Sequence, residues 1–284
     1  MRAQDYVAQQ RPRFSSEAQI SLFEQARYAE GLARSQEQLA EVRASDPRHP
    51  DIGHLLNECA TFQRASGNLE GAIATMHETL VFDLAHEGEA SWNAVRSLSR
   101  FAHLNILAGR HELAEQVIRR GLTALNQLPP QEQDERYVFL MNLADIYSSR
   151  GQLREAELQV LEALRLVGRN LWGNAIGDVC FELARIYLRQ GRLVAAKRTM
   201  QKAIGMLERA DRPRLDELKL GSMHYYLGRL HQRMNEPAEA RHCFAASLAV
   251  FQNQEPLENA HRIEWENVCR QRLADLDEAL VTLP

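Results

Sequence analysis

Two stretches decide the fold: LADIYSSRGQLREAELQVLEAL, residues 143–164, and LARIYLRQGRLVAAKRTMQKAI, residues 183–204. Each sets a Leu-Ala pair and a tyrosine before a glycine, then an alanine five residues and an aliphatic thirteen residues after it. The same frame recurs outward from these two copies. Its anchors are Gly67, Gly109, Gly151, Gly191 and Asn235, at intervals of 42, 42, 40 and 44 residues. Seven positions before them stand Ala60, Ala102, Ala144, Ala184 and Gly228. Five positions after them stand Ala72, Ala114, Ala156, Ala196 and Ala240, and thirteen after, Leu80, Leu122, Leu164, Ile204 and Leu248. A fixed period of this length marks a repeat architecture.

The frame has a physical reading. Glycine, or asparagine as its best substitute, suits a left-handed residue that ends one helix before the next begins. The small residues on either side sit where two antiparallel helices cross, since larger side chains would hold the backbones apart. Cys59, Phe101, Leu143, Leu183 and Leu227 then fill the space beside each crossing. Apolar residues are spaced helically on both sides of the turns, as in Leu140, Leu143, Ala144 and Tyr147, with no strand-like alternation. Prolines respect the pattern. Pro47 and Pro50 precede the first repeat, Pro129, Pro130 and Pro213 fall between repeats, Pro256 follows the fifth, and Pro237 falls in a first helical turn, where its missing N–H is not needed.

On these residues the sequence resembles the tetratricopeptide repeat family over about residues 51–254, including Tyr147 and Tyr187 three residues beyond the small one. The spacing exceeds the usual 34 of that family and is similar to the longer-helix variety of kinesin light chains and some bacterial signalling regulators. Gln63 and Asn105 replace the tyrosine in the first two repeats. The resemblance implies an all-α, right-handed α-solenoid of five helix-turn-helix repeats.

Stacked repeats leave an apolar face at each end that must be covered. Residues 1–50 are read as an N-terminal capping region. Ser16 and Gln19 form a capping box there, opening a helix or helix pair over 15–44 with Ala18, Leu22, Ala26, Ala29 and Ala33 on one side. Residues 255–284 are read as a C-terminal capping helix, or half of a sixth repeat, with Trp265, Cys269, Leu273, Leu276 and Leu280 on one face. With no linker between repeats, the chain is expected to fold as one unit.

Composition excludes several classes. The 284 residues have a mean hydropathy of -0.41 and no apolar run long enough for a membrane span. The polar start MRAQDYVAQQRPRF lacks a signal segment, so a cytoplasmic protein is expected. A net charge of -4 gives no global basic footprint for nucleic acid. The basic residues are three lysines and 31 arginines. Cys59, Cys180, Cys243 and Cys269 are scattered and read as reduced, buried thiols rather than a disulfide framework or zinc site.

Chemistry finds little support. His111 and Glu112 begin a zincin-like pattern, but Glu115 stands at the second histidine position. His224, His231 and His242 with Cys243 lack a ligand pattern, and His231 occupies a packing position. Gly168, Gly173 and Gly177 follow no strand and read as an inter-repeat turn, and QEQDE at 131–135 reads as solvated loop. No nucleophile motif is present, so no catalysis, cofactor or metal is expected.

What remains is a surface. The resemblance places the first helix of each repeat along a concave groove. Those five helices carry Arg64, Arg96, Arg100, Arg150, Arg185, Arg189, Arg229 and Arg233 against Glu58, Asp145, Asp178 and Glu182, a local excess of four positive charges in an acidic chain. Phe181, Tyr225 and Tyr226 are candidate aromatic anchors, and Asn57 and Asn142 candidate donors to a peptide backbone. The function read from these residues is a non-enzymatic scaffold that captures a partner protein or peptide, acidic or carboxylate-ended. It takes no nucleic acid. The alternative is a signal-sensing regulator whose superhelix responds to a peptide or small ligand.

Overall fold

The computed structural model describes residues 15–129, 135–169, 173–209, 214–252 and 260–281. Thirteen helices and no strand occur among them. In chain order they are α1 Glu17–Glu24, α2 Tyr28–Ser45, α3 Asp51–Ala65, α4 Leu69–Glu87, α5 Trp92–Leu107, α6 His111–Leu125 and α7 Arg136–Ser149. Then follow α8 Leu153–Arg169, α9 Gly173–Arg189, α10 Leu193–Arg209, α11 Arg214–Arg233, α12 Pro237–Gln252 and α13 Ala260–Val281. The architecture is an all-α helical repeat. The chain forms two compact units, Met1–Ala163 and Leu164–Pro284, with the boundary inside the residues of α8.

Each anchor lies between the two helices of a pair in left-handed backbone: φ is 84° at Gly67, 72° at Gly109, 77° at Gly151 and Gly191, and 59° at Asn235. A side chain strains this conformation, which is why glycine or asparagine recurs there. The alanines that flank the turns, from Ala72 and Ala102 through Ala144 and Ala196 to Ala240, are buried. At the fifth crossing a Cβ on Gly228 would stand 2.8 Å from the Phe244 ring.

The N-terminal segment departs from the single alanine face read from sequence. Ala26 takes φ 56° and breaks the helix between α1 and α2. Ala18, Ala29 and Ala33 are exposed, and the buried side is Gln19, Leu22, Gly31, Ser35 and Leu39. Ser16 Oγ does cap α1, accepting from Gln19 N at 3.3 Å, but the other half of the capping box does not form. The Gln19 side chain instead donates to Ser35 Oγ at 2.8 Å, Gly31 O at 3.2 Å and Glu58 Oε1 at 2.9 Å. Buried Glu58 also accepts from Ser35 Oγ at 2.5 Å and Ser15 N at 2.5 Å. This carboxylate, on the first repeat, is what the N-terminal helices bond to. Replacing Glu58 with leucine strands those donors, each costing about 1–3 kcal/mol when left unmade. The expected loss is about 2–3 kcal/mol by urea unfolding, whereas Glu58→Gln, which keeps an acceptor, should lose less than half of that.

In the second unit α13 closes the cluster of Tyr225, Phe244 and Phe251 with Trp265, Cys269 and Leu276. The side chain of Leu280 lies outside the described residues. Gly168 belongs to α8, and Gly173 and Gly177 to α9, so these glycines are helical rather than the inter-repeat turn read from sequence. Gly177 lies close against α10, where an added Cβ would stand 3.1 Å from Leu207.

Candidate functional site

In the first unit, α3, α5 and α7 share a face, and between them lies a depression of about 420 Å³. Such a volume is within the range of ligand pockets. Helical spacing brings its lining together: Asn57, Thr61 and Arg64 lie four and three apart on α3, and Arg100, His103 and Leu104 lie within one turn on α5. Val138 and Asn142 come from α7, with Asp145 one turn further on. Ala60, Leu104 and Met76 supply apolar wall. Four of the residues singled out in the sequence, Asn57, Arg64, Arg100 and Asn142, therefore line one cavity.

Its polar groups are unevenly satisfied. Arg64 has no carboxylate partner among the described residues. It reaches solvent through the open side of the depression, while crowding by the protein opposes its charge and lowers its pKa, with Tyr28 acting against that effect. A guanidinium stays protonated regardless. Asn142 is 7% exposed and its Nδ2 has no hydrogen-bond acceptor. A buried donor left unmade costs about 1–3 kcal/mol, so it is poised for an acceptor. Arg96 is buried and lies 4.0 Å from Glu135, which lines the same depression. Glu135 thus departs from the solvated loop expected for 131–135, of which residues 131–134 lie outside the described residues.

His103 was not among the sequence candidates. Its imidazole pKa is lowered, first by desolvation and then by the Arg64 charge, with Asp145 and a hydrogen bond to Asn142 acting the other way. The signal for it was present in the repeat frame. His103 stands six residues before its anchor, the position that Arg185 and Arg229 hold in repeats four and five.

The second unit carries the remaining candidates. The Arg185 guanidinium lies 5.8 Å from the Phe181 ring centroid and 5.4 Å from that of Tyr226, and Arg229 lies 5.9 Å from Tyr226. Cation–π contacts of this exposure contribute about 0.5–1 kcal/mol each. Arg185 also pairs with Glu182 at 2.6 Å. Arg229 and Arg189 are exposed, whereas Arg233 donates to Leu188 O at 2.7 Å, near the C-terminus of α9, a position that favours a cation. Tyr225 is turned into the core, with ring centroids 5.5 Å from Phe244 and 5.1 Å from Trp265. The α9 and α11 side chains thus divide between a surface platform around Tyr226 and packing or capping duties.

His231 is buried, with Nδ1 2.6 Å from Glu236 Oε2, and Lys197 Nζ lies 2.9 Å from the same oxygen. These partners hold the Glu236 carboxyl below its ordinary range. All four cysteines are unbridged and buried. Burial pushes Cys59 up to about 12 and Cys243 up to about 11, far from thiolate reactivity at neutral pH. Among the described residues no group of three or more His, Cys, Asp and Glu side chains could hold a metal ion, and no helix is long and apolar enough to cross a membrane.

Comparison with known proteins agrees with this architecture. A tetratricopeptide repeat family model matches residues 177–206, spanning most of α9, the Gly191 turn and most of α10. No curated protein is significantly similar in sequence. Among solved structures, BtubC (BKLC) from P. vanneervenii superposes with a TM-score of 0.63 at 18% identity, over 79% of this chain and 90% of that one. A putative kinesin light chain from Podosopora anserina gives 0.55 at 16% identity, over 73% and 98%. PilW, a type IV pilus biogenesis factor, gives 0.56 at 15% identity, over 84% and 93%. At such identities the likeness shows the fold. Residues 177–206 thus match a tetratricopeptide repeat, and along most of its length the chain has the fold of solved tetratricopeptide-like repeat structures.

Proposed function

We propose that the protein is a non-catalytic interaction scaffold and that the depression between α3, α5 and α7 anchors a segment of its partner. Tetratricopeptide repeats serve generally as protein-interaction scaffolds, and the chain carries no catalytic motif. The observation that supports this site is the pairing, in one cavity, of an arginine without a carboxylate partner and a buried amide donor without an acceptor. A folded chain tolerates such groups at a cost that a ligand offering acceptors would relieve. Apolar wall beside them suits a short peptide segment better than a bulk anion. The platform around Tyr226, with Arg185 and Arg229, offers a second contact of the same chemistry.

Peptide display against the full chain tests this reading. Selected sequences should be enriched in Asp, Glu or a free C-terminus, and their binding should weaken with salt, because exposed ion pairs are screened within about 10 Å at ordinary ionic strength. Arg64→Glu is expected to reduce affinity at least tenfold, since it replaces an attraction with a repulsion inside a crowded cavity. Peptides without acidic groups, or an affinity unmoved by Arg64→Glu and by salt, would place the interface elsewhere.

A further inference from the structure

The N-terminal helices carry a conflict between local and tertiary preference that the five repeat turns avoid. The turn between α1 and α2 closes as those turns do. Arg27 N–H donates to Leu22 O at 2.9 Å and Ala26 N–H to Phe23 O at 3.1 Å, just as Asn68 N–H donates to Gln63 O at 2.9 Å and Gly67 N–H to Arg64 O at 3.1 Å. This closure requires one residue in left-handed backbone, and every repeat supplies glycine or asparagine for it. Between α1 and α2 that residue is Ala26, with φ 56°. Its Cβ crowds the following carbonyl there, a cost that glycine does not carry.

No local signal asks for the break. Glu24, Gln25, Ala26 and Arg27 all rank among the stronger helix formers, and Arg27, at the start of α2, makes no side-chain capping bond. By local preference residues 17–45 form one helix. What folds α1 back is tertiary: Leu22 is buried, the Phe23 ring lies 5.9 Å from Phe62 of α3, and the Gln19 amide donates to Ser35 and Glu58. These contacts need an α1, but the α1 of a second molecule meets them equally well.

We propose that α1 exchanges between two copies of this chain. In the exchanged pair, α1 and α2 of each copy run on as one helix through Ala26, and each α1 docks on α2 and α3 of the other copy. Every docking contact is kept, both left-handed alanines become helical, and the helix gains the hydrogen bonds that the turn interrupts. Short hinges under strain favour such exchange. Because the exchange is reciprocal, it closes as a two-fold dimer and leaves no face open for further growth. Lost freedom of two molecules opposes it, so the balance depends on concentration.

Light scattering of the full chain on a sizing column, over a concentration series, reads the dimer. Samples are refolded from urea at high concentration so that slow opening of α1 traps neither form. A crosslink reads the exchange. Ser15 and Gln38 are exposed, Ser15 Oγ donates to Gln38 Oε1 at 3.0 Å, and the native cysteines are buried. With Ser15→Cys and Gln38→Cys in one chain, a short bismaleimide joins the two sites within a monomer but between chains in the exchanged pair. The dimer fraction should therefore run as a covalent dimer on a denaturing gel.

Ala26→Gly should raise the dimer dissociation constant about a hundredfold or more, because at both hinges glycine relieves the monomer's turn and weakens the dimer's continuous helix. Ala33→Gly, the same change at an exposed position of α2 that is helical in both forms, should move it less than about threefold. A chain that stays monomeric up to its solubility limit would overturn the proposal. So would a dimer indifferent to Ala26→Gly, or a dimer fraction crosslinked only within chains. Either result leaves the scaffold reading untouched, since the exchange does not involve the depression.

Discussion

Deletion of residues 260–284 is expected to leave a chain that aggregates, or that melts far below the intact protein. Helix α13 places Trp265, Val268, Cys269, Leu273 and Leu276 against α12 and the end of the second unit. Burying side chains of this size contributes about 1.5–3 kcal/mol for each large one, offset in part by the ordering entropy of the helix. Beneath it lie three aromatic rings, Tyr225, Phe244 and Phe251, of which Phe251 stacks on Trp265 at 5.7 Å. Truncation exposes a contiguous apolar face of the kind that drives association. Light scattering and a thermal melt of the truncated chain check it, and unchanged solubility and melting temperature would show that α13 is not a cap. A milder control is Trp265→Ala, which should lower the melting temperature without removing the helix.

The second large effect is expected at Phe139, fully buried in the first unit at the start of the third repeat. Its ring lies over Gly121 of α6, so closely that a Cβ added there would come within 2.3 Å of the ring. Phe139→Ala removes that ring from the buried cluster it shares with Ile118, Leu125 and Leu143, and should cost about 3–5 kcal/mol by urea unfolding. Gly121→Ala approaches the same contact from the other side. It gains about 1 kcal/mol of helix propensity yet forces a rigid ring to move, so it should be destabilising overall. A stabilised Gly121→Ala would show that the glycine is not there to admit the ring. The double substitution should be less damaging than the sum of the two, because the methyl then enters space the ring has left.

Much of this molecule was legible without coordinates, because its repeat writes the same physical demand five times. A left-handed residue can be recognised from Gly67, Gly109, Gly151 and Gly191, and even from Asn235, since few side chains tolerate that backbone. The helix crossings were equally legible, because only small residues let two backbones approach, and Ala144 or Ala196 can be assigned to that role from spacing alone. The arginine excess on the first helices was visible as well, but not which of the twelve residues read along the groove would meet at one cavity.

Tertiary structure decided what these residues do there, because partners lie too far apart in sequence for any local pattern to pair them. Tyr225 and Tyr226 are neighbours with the same chemistry, yet consecutive helical positions point about 100° apart, and packing against Trp265 takes one into the core while the other stays under Arg185 and Arg229. Gln19 reads as half of a capping box, but a buried Glu58 39 residues away offered its amide a better acceptor. Most consequential is His103, which the sequence reading passed over. Its place beside Arg64 and Asn142 came only when three helices, each contributing a face set by its own 3.6-residue period, closed around one cavity. The repeat fixes where helices turn and cross; which side chains are left without a partner depends on the whole set of neighbours that burial assembles.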